Sequence, residues 1–269
     1  MTVSRGGRIT LRVIGIGYLA LLLALPVALI AYETFSEGLG PVIDSLTTPE
    51  AQHAFYLTIM MVVIAVPLNA VFGVTCAIVL VRHRFRGRAF LNALIDLPFA
   101  VSPVVIGLAL ILVYGTRDGW LGEFLSDAGI QVIFSTPGMV LATIFVSLPF
   151  VVREVQPVLQ EIGIEQEQAA STLGAGGWQT FRRITLPAIR WGVGYGVVLA
   201  TARALGEFGA VSIVSGKLSG QTETLTLRVE ERFQSFDLIG AYAASLVLAA
   251  MAIAALLLMS RLNPERKST

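Results

Sequence analysis

Arg203 and Glu207 stand four residues apart inside an apolar run, so on a helix they share a face and can pair. Each charge at the middle of a bilayer costs about 2.5–3.5 kcal/mol on insertion scales, which pairing or a wet cavity offsets. The same face carries Gly196, Ala200, Gly206 and Ala210, small residues that let another helix come close or leave room for a path. Two readings stay open: a route on which Arg203 briefly partners a passing anion, or an ion pair that locks this segment to a neighbour. Asp96 is the one aspartate set within an apolar run. With Asn92 one turn below and Pro98 just above, it reads as a structural cap of a broken helix, since its charge would repel an anion.

The other residues that could do chemistry are too few and too scattered. A nucleophile needs a base within reach. His53 and His83 are the only histidines, and they flank opposite ends of one apolar run. A serine–histidine dyad at membrane depth is therefore not expected, and an aspartyl dyad lacks its second aspartate. Two separated histidines and one cysteine do not make a metal site. Cys76 cannot form an internal disulfide and reads as a small apolar packing residue. A phosphate-binding loop needs Gly-Lys followed by Ser or Thr, but Gly216-Lys217 is followed by Leu218. The chain is expected to be no enzyme, to hold no cofactor or metal, and to hydrolyse no ATP.

Composition says what surrounds these residues. Charged residues make up 14% and hydrophobic ones 55%, with a mean hydropathy of +0.77. A soluble domain carries about a quarter charged residues, so a membrane protein is expected. The net charge of +1 gives no basic field for nucleic acid. Six apolar runs predict an all-α integral membrane domain over residues 1–269, with spans near 13–32, 56–81, 89–114, 138–157, 191–214 and 238–262. The first is too long for a signal peptide. Pro26, Pro67, Pro98, Pro103 and Pro149 lie inside spans, which neighbouring helices can accommodate. Fourteen Lys and Arg fall on one side: Arg5, Arg8 and Arg12, four in 82–88, four in 153–190, and Arg261, Arg266 and Lys267. The other side has four, Arg117, Lys217, Arg228 and Arg232. That asymmetry predicts cytoplasmic termini and a cytoplasmic loop over 158–190. The external stretch 215–237 is expected to hold a short helix near Leu225–Phe233, either a contact for an outside protein or a plain connector.

Residues 165–187, EQEQAASTLGAGGWQTFRRITLP, are too polar for a bilayer. A helix is expected over Glu165–Leu173, with Ala169, Ala170 and Leu173 on one side and a stop at Gly174 and Gly176-Gly177. A second short helix, Gln179–Thr185, would end at Leu186-Pro187, because the residue before proline disfavours the helical region.

The spacing of this segment resembles the signature of ABC-importer permeases: Glu-Ala-Ala, three residues, Gly, nine residues, Ile-x-Leu-Pro. Here it reads Gln168-Ala169-Ala170, Gly174, then Ile184, Leu186 and Pro187, so six of seven fixed positions match. The departure is Gln168 in place of the usual Glu. Glu167 precedes it, but one residue is about 100° around a helix, so the charge is not simply moved over. The resemblance implies a type I importer permease fold with both termini cytoplasmic. It also implies a coupling helix, carrying Glu167 to Leu173, that docks in a cleft of a separate ATPase. The stretches 95–107, 148–159 and 177–216 resemble the sulfate/thiosulfate permeases of the CysW type. Molybdate and tungstate permeases share part of that pattern. Implied partners are two ATPase copies that bind ATP and Mg, a sister permease of the CysT type, an external sulfate-binding protein and membrane lipid. A stand-alone anion channel or secondary carrier is the remaining alternative.

Overall fold

The computed structural model describes the backbone of residues 5–117 and 119–262, and side chains for 12–22, 24–117 and 119–258. Arg266 and Lys267 lie outside the described residues. Hydrocarbon leaves no water for an unpaired backbone group, so a spanning chain must close its hydrogen bonds internally. The described residues accordingly form helices and no strand.

Helix α1 (Arg5–Leu19) runs through a π turn, Ala20–Ala24, into α2 (Leu25–Phe35). A short helix, α3 (Leu39–Thr47), leads to α4 (Pro49–Arg82). The start of α4 follows local rules: Thr48 caps it by accepting from the Ala51 amide at 3.2 Å, and Pro49 needs no donor there. Next come α5 (Arg88–Ala100), α6 (Pro103–Tyr114), α7 (Gly122–Asp127) and α8 (Thr136–Glu161). Then α9 (Glu165–Thr172) precedes α10 (Gly177–Thr180), which passes through a second π turn, Phe181–Thr185, into α11 (Leu186–Leu205). The chain closes with α12 (Val211–Val214), α13 (Leu225–Gln234) and α14 (Leu238–Leu262). Among the described residues five helices are long and apolar enough to cross a membrane, or six if the bent α5–α6 pair is one span.

The centre of the bundle is α8. Its most apolar window is 61% buried, against 33% for α4 and none for the first span, which therefore lies at the periphery. Val151 of α8 is wedged between two glycines. A Cβ on Gly73 of α4 would sit 2.7 Å from Val151 Cβ, and one on Gly196 of α11 would sit 2.7 Å from Val151 Cα. Small residues permit this approach, and packing is what holds helices together in lipid. Asn69 of α4 adds a polar clamp, donating to Ser147 Oγ at 2.8 Å and to the Ile144 carbonyl at 3.1 Å. Val74, Leu80, Ile95, Val152, Val155, Leu159 and Ile189 fill the half of the bundle nearer α9. Leu57, Met61, Ile106, Met139, Val211 and Leu227 fill the half nearer α13.

Several expected boundaries move. The third span is no straight rod, since α5 and α6 meet at 117°. Pro103 drives Ser102 into an extended conformation (φ −59°, ψ 136°), and Val101 is extended as well. The fourth span, α8, continues past 157 to Glu161, and Arg153 lies inside it. Leu186-Pro187 does not end a helix. The π turn widens the backbone just ahead of Pro187, where the ring would strike the preceding turn, and the rod runs unbroken from Gly177 to Leu205. The same device precedes Pro26. The rod then stops at Gly206 rather than near 214, and 211–214 form a separate turn of helix. Much of the loop expected over 158–190 is therefore helix continuous with the spans.

Candidate functional site

Helix α9 begins after Gly163 (φ +65°) and ends before Gly174 (φ +82°), both in the region that glycine enters without a Cβ penalty. Glu165 and Glu167 sit in its first turn, where carboxylates suit the helix dipole. The expected grouping of Ala169, Ala170 and Leu173 is split. Ala170 is buried against the bundle and Ala169 is exposed. Leu173 follows the last helical residue and is 88% exposed. Residues 169 and 170 differ by one helical step, about 100°, and the bundle covers only the side that carries Ala170. Gln168 also points outward. Trp178, at the foot of the α10–α11 rod, is 73% exposed and tilts against Phe181 with ring centroids 5.4 Å apart. Ile184 is half-buried, while Leu186 and Pro187 are exposed on the rod. The end of the bundle thus presents exposed apolar groups beside glutamines.

Glu167 turns the other way. Its Oε2 lies 3.0 Å from Arg82 Nε, and its Oε1 accepts from Arg82 Nη2 at 3.2 Å and from the Thr185 hydroxyl at 2.9 Å. Arg82 also donates to the Leu159 carbonyl at 3.0 Å, one of the acceptors a helix end leaves open. Glu167 therefore does not stand in at the surface for the charge that Gln168 lacks.

Inside the bundle, Arg203 Nη1 lies 2.6 Å from Glu207 Oε2. The Arg203 side chain is 30% exposed and that of Glu207 is 1% exposed. Glu207 lies beyond the end of α11, and its Oε1 accepts from the Ala210 amide at 2.9 Å. The carboxylate thus closes the turn that starts at Gly206. Thr226 of α13 donates to the Glu207 carbonyl at 2.8 Å. Gly196 and Ala200 of the expected small-residue face are buried and belong to the α8–α11 contact, not to an open path. Asp96 does not cap the α5–α6 break. Its Oδ1 accepts from Arg153 Nε at 2.8 Å, and its Oδ2 is ion-paired with Arg153 Nη2. Arg153 also donates to Asn92 and to Gln156, at 3.1 and 2.9 Å. Asp96 sits mid-helix, where it reaches across to α8 rather than along its own axis.

Sequence reasoning missed Arg82, Thr185, Arg153 and Trp178. Arg82 ends an apolar run and Arg153 interrupts one, so an intramembrane or near-membrane cation in search of a carboxylate was the available signal. No spacing rule joins Arg82 to Glu167 across 85 positions. Among the described residues no cluster of His, Cys, Asp and Glu could hold a metal ion.

Comparison with known proteins adds to this geometry. The family described as binding-protein-dependent transport system inner membrane component matches residues 69–268. The sulfate transport system permease protein CysW of Synechococcus elongatus is 52% identical over 255 residues, covering 94% of this chain and 89% of that protein. The sulfate transport system permease protein CysT of Escherichia coli K12 is 38% identical over 242 residues, covering 90% of this chain and 86% of the other. A bacterial ABC transporter that imports the acidic polysaccharide alginate contains a chain of similar fold. Its TM-score is 0.78 at 17% identity, with 97% and 96% of the two chains covered.

Proposed function

The chain belongs to the family of binding-protein-dependent transport system inner membrane components, and from that premise we propose that it is the membrane-spanning subunit of an ATP-driven sulfate importer. The observation that carries the substrate is the 52% identity, over nearly the whole length, to a permease named for sulfate transport. Thiosulfate, a tetrahedral dianion with sulfur in place of one oxygen, is a further cargo of the same assembly. The family description supports an external binding protein as the donor of substrate. The similarity to a CysT permease supports a sister subunit of that type, the two chains lining the route together.

The chain's sequence holds no phosphate-binding loop, so the energy enters from partner ATPases, two copies for two permeases. The end that carries α9 faces the cytoplasm, as the skewed Lys and Arg support, and the protein is a multi-pass component of the bacterial inner membrane. Exposed Gln168, Ala169, Leu173 and Gly174 offer the ATPase a small, partly apolar knob, with Gln168 providing a neutral hydrogen bond. ATPase closure moves α9 and the foot of the rod that begins at Gly177. Because that rod is continuous to Leu205, the displacement reaches the span directly. Arg203 and Glu207 act as a lock on the turn that follows it. Asp96 and Arg153 tie the two halves of the route wall, α5 and α8, together.

Reconstitution separates this from a stand-alone channel or carrier. Proteoliposomes with this chain alone are expected to show no sulfate flux. Those with the sister permease, the ATPase and the binding protein accumulate sulfate only with ATP. Flux through the chain alone would overturn the reading.

A further inference from the structure

Helix α9 has only eight residues and is flanked on both sides by glycines, Gly163 before it and Gly174, Gly176 and Gly177 after it. Glycine restricts the backbone least of all residues, and two of these four, Gly163 and Gly174, have positive φ. A push on such a helix is poorly transmitted along the chain itself. Its apolar attachment to the bundle is slight, since Ala170 is the one buried residue of α9. What fastens it is the carboxylate of Glu167. That single group reaches three spans: α4 through Arg82, the α10–α11 rod through Thr185, and α8 through Arg82 onto the Leu159 carbonyl. The Arg82 side chain is 10% exposed, that of Glu167 is 22% exposed and Thr185 is buried, so most of the contact is enclosed by the bundle.

We propose that Glu167 and Arg82 are positioning residues that form the strut through which force applied to α9 is delivered to α4, α8 and α11 together. This goes beyond the proposed function and rests on it, because it adds an internal linkage to an external docking surface. A surface contact and a strut predict different failures. Loss of a docking residue weakens ATPase association. Loss of the strut leaves the ATPase bound and turning over while the spans no longer follow.

The test uses the full complex in proteoliposomes with Glu167→Gln, with Arg82→Gln, and with the exchange Arg82→Glu plus Glu167→Arg. The readout is sulfate accumulated per ATP hydrolysed. The strut predicts ATP hydrolysis within about twofold of the starting complex, a tenfold or greater fall in the ratio for either single variant, and partial recovery in the exchange. An unchanged ratio in assembled Glu167→Gln complexes would overturn it. So would uptake and hydrolysis that fall in parallel.

The milder Thr185→Val removes one bond and should lower the ratio by a few-fold, which keeps the test open if a charge variant fails to assemble. A second readout needs no transport. Spin labels at Gln166→Cys and Thr75→Cys, in a Cys76→Ala background, report the distance from α9 to α4 in the complex. A broader distribution with Glu167→Gln supports the strut and an unchanged one contradicts it. If the starting complex does not carry sulfate, the proposed function fails while this distance still judges the strut.

Discussion

The three-helix core of α4, α8 and α11 and the small helix α9 are built on opposite plans. In the core, Val151 fills the gap left by Gly73 and Gly196, and the backbones come so close that no Cβ fits. Helices packed in this way move as one body, because interiors are dense and transmit strain. In α9 one alanine is buried, the flanks are glycine, and Ala169, Leu173 and Gln168 face outward. The contrast separates a stiff load from a small handle. A motor elsewhere needs both: a surface it can grip, and a body that follows without deforming.

That contrast orders the effects of substitution on the permease's own stability. The largest is Gly196→Val. Its new side chain meets the Val151 backbone, which cannot yield as a flexible side chain would, and a loss of about 3 kcal/mol is expected. A lower unfolding midpoint in detergent, with poor recovery of the complex, would register it. A variant as stable as the parent would show that the core is looser than drawn. Glu207→Ala comes next. It strands Arg203 and frees the Ala210 amide, and since the Arg203 side chain is only partly enclosed by the chain the cost is about 2 kcal/mol, short of the full penalty for a broken buried pair. The same thermal measurement reads it. The smallest is Leu173→Asp, on a side chain 88% exposed. Stability should stay within about 0.5 kcal/mol, while affinity for the ATPase, measured by co-purification across salt-free dilutions, falls at least tenfold. Equal affinity would remove Leu173 from the handle.

Much of the core was legible because its signals are local. Apolar runs of spanning length mark the helices, and Pro98 and Pro103 lie either side of the α5–α6 break. Glu165 and Gly174 mark the two ends of α9. Three things were not. Pro187 reads as a stop, yet a π turn carries the helix past it, and nothing in five residues of Phe-Arg-Arg-Ile-Thr announces that wider turn. Arg203 and Glu207 are four apart, and the pair does form, but Glu207 lies beyond the helix end and also closes a turn. Asp96 with Arg153 and Arg82 with Glu167 are contacts between helices distant in sequence, and they exist only once the bundle has brought those helices together.

The central claim is that ATP-derived force enters through α9. Ala169→Trp, on the exposed side of that helix, tests it most directly in the reconstituted complex once intact assembly has been verified. ATP-driven sulfate accumulation is expected to fall to the level seen without ATP. Accumulation at the parent's rate would contradict the account.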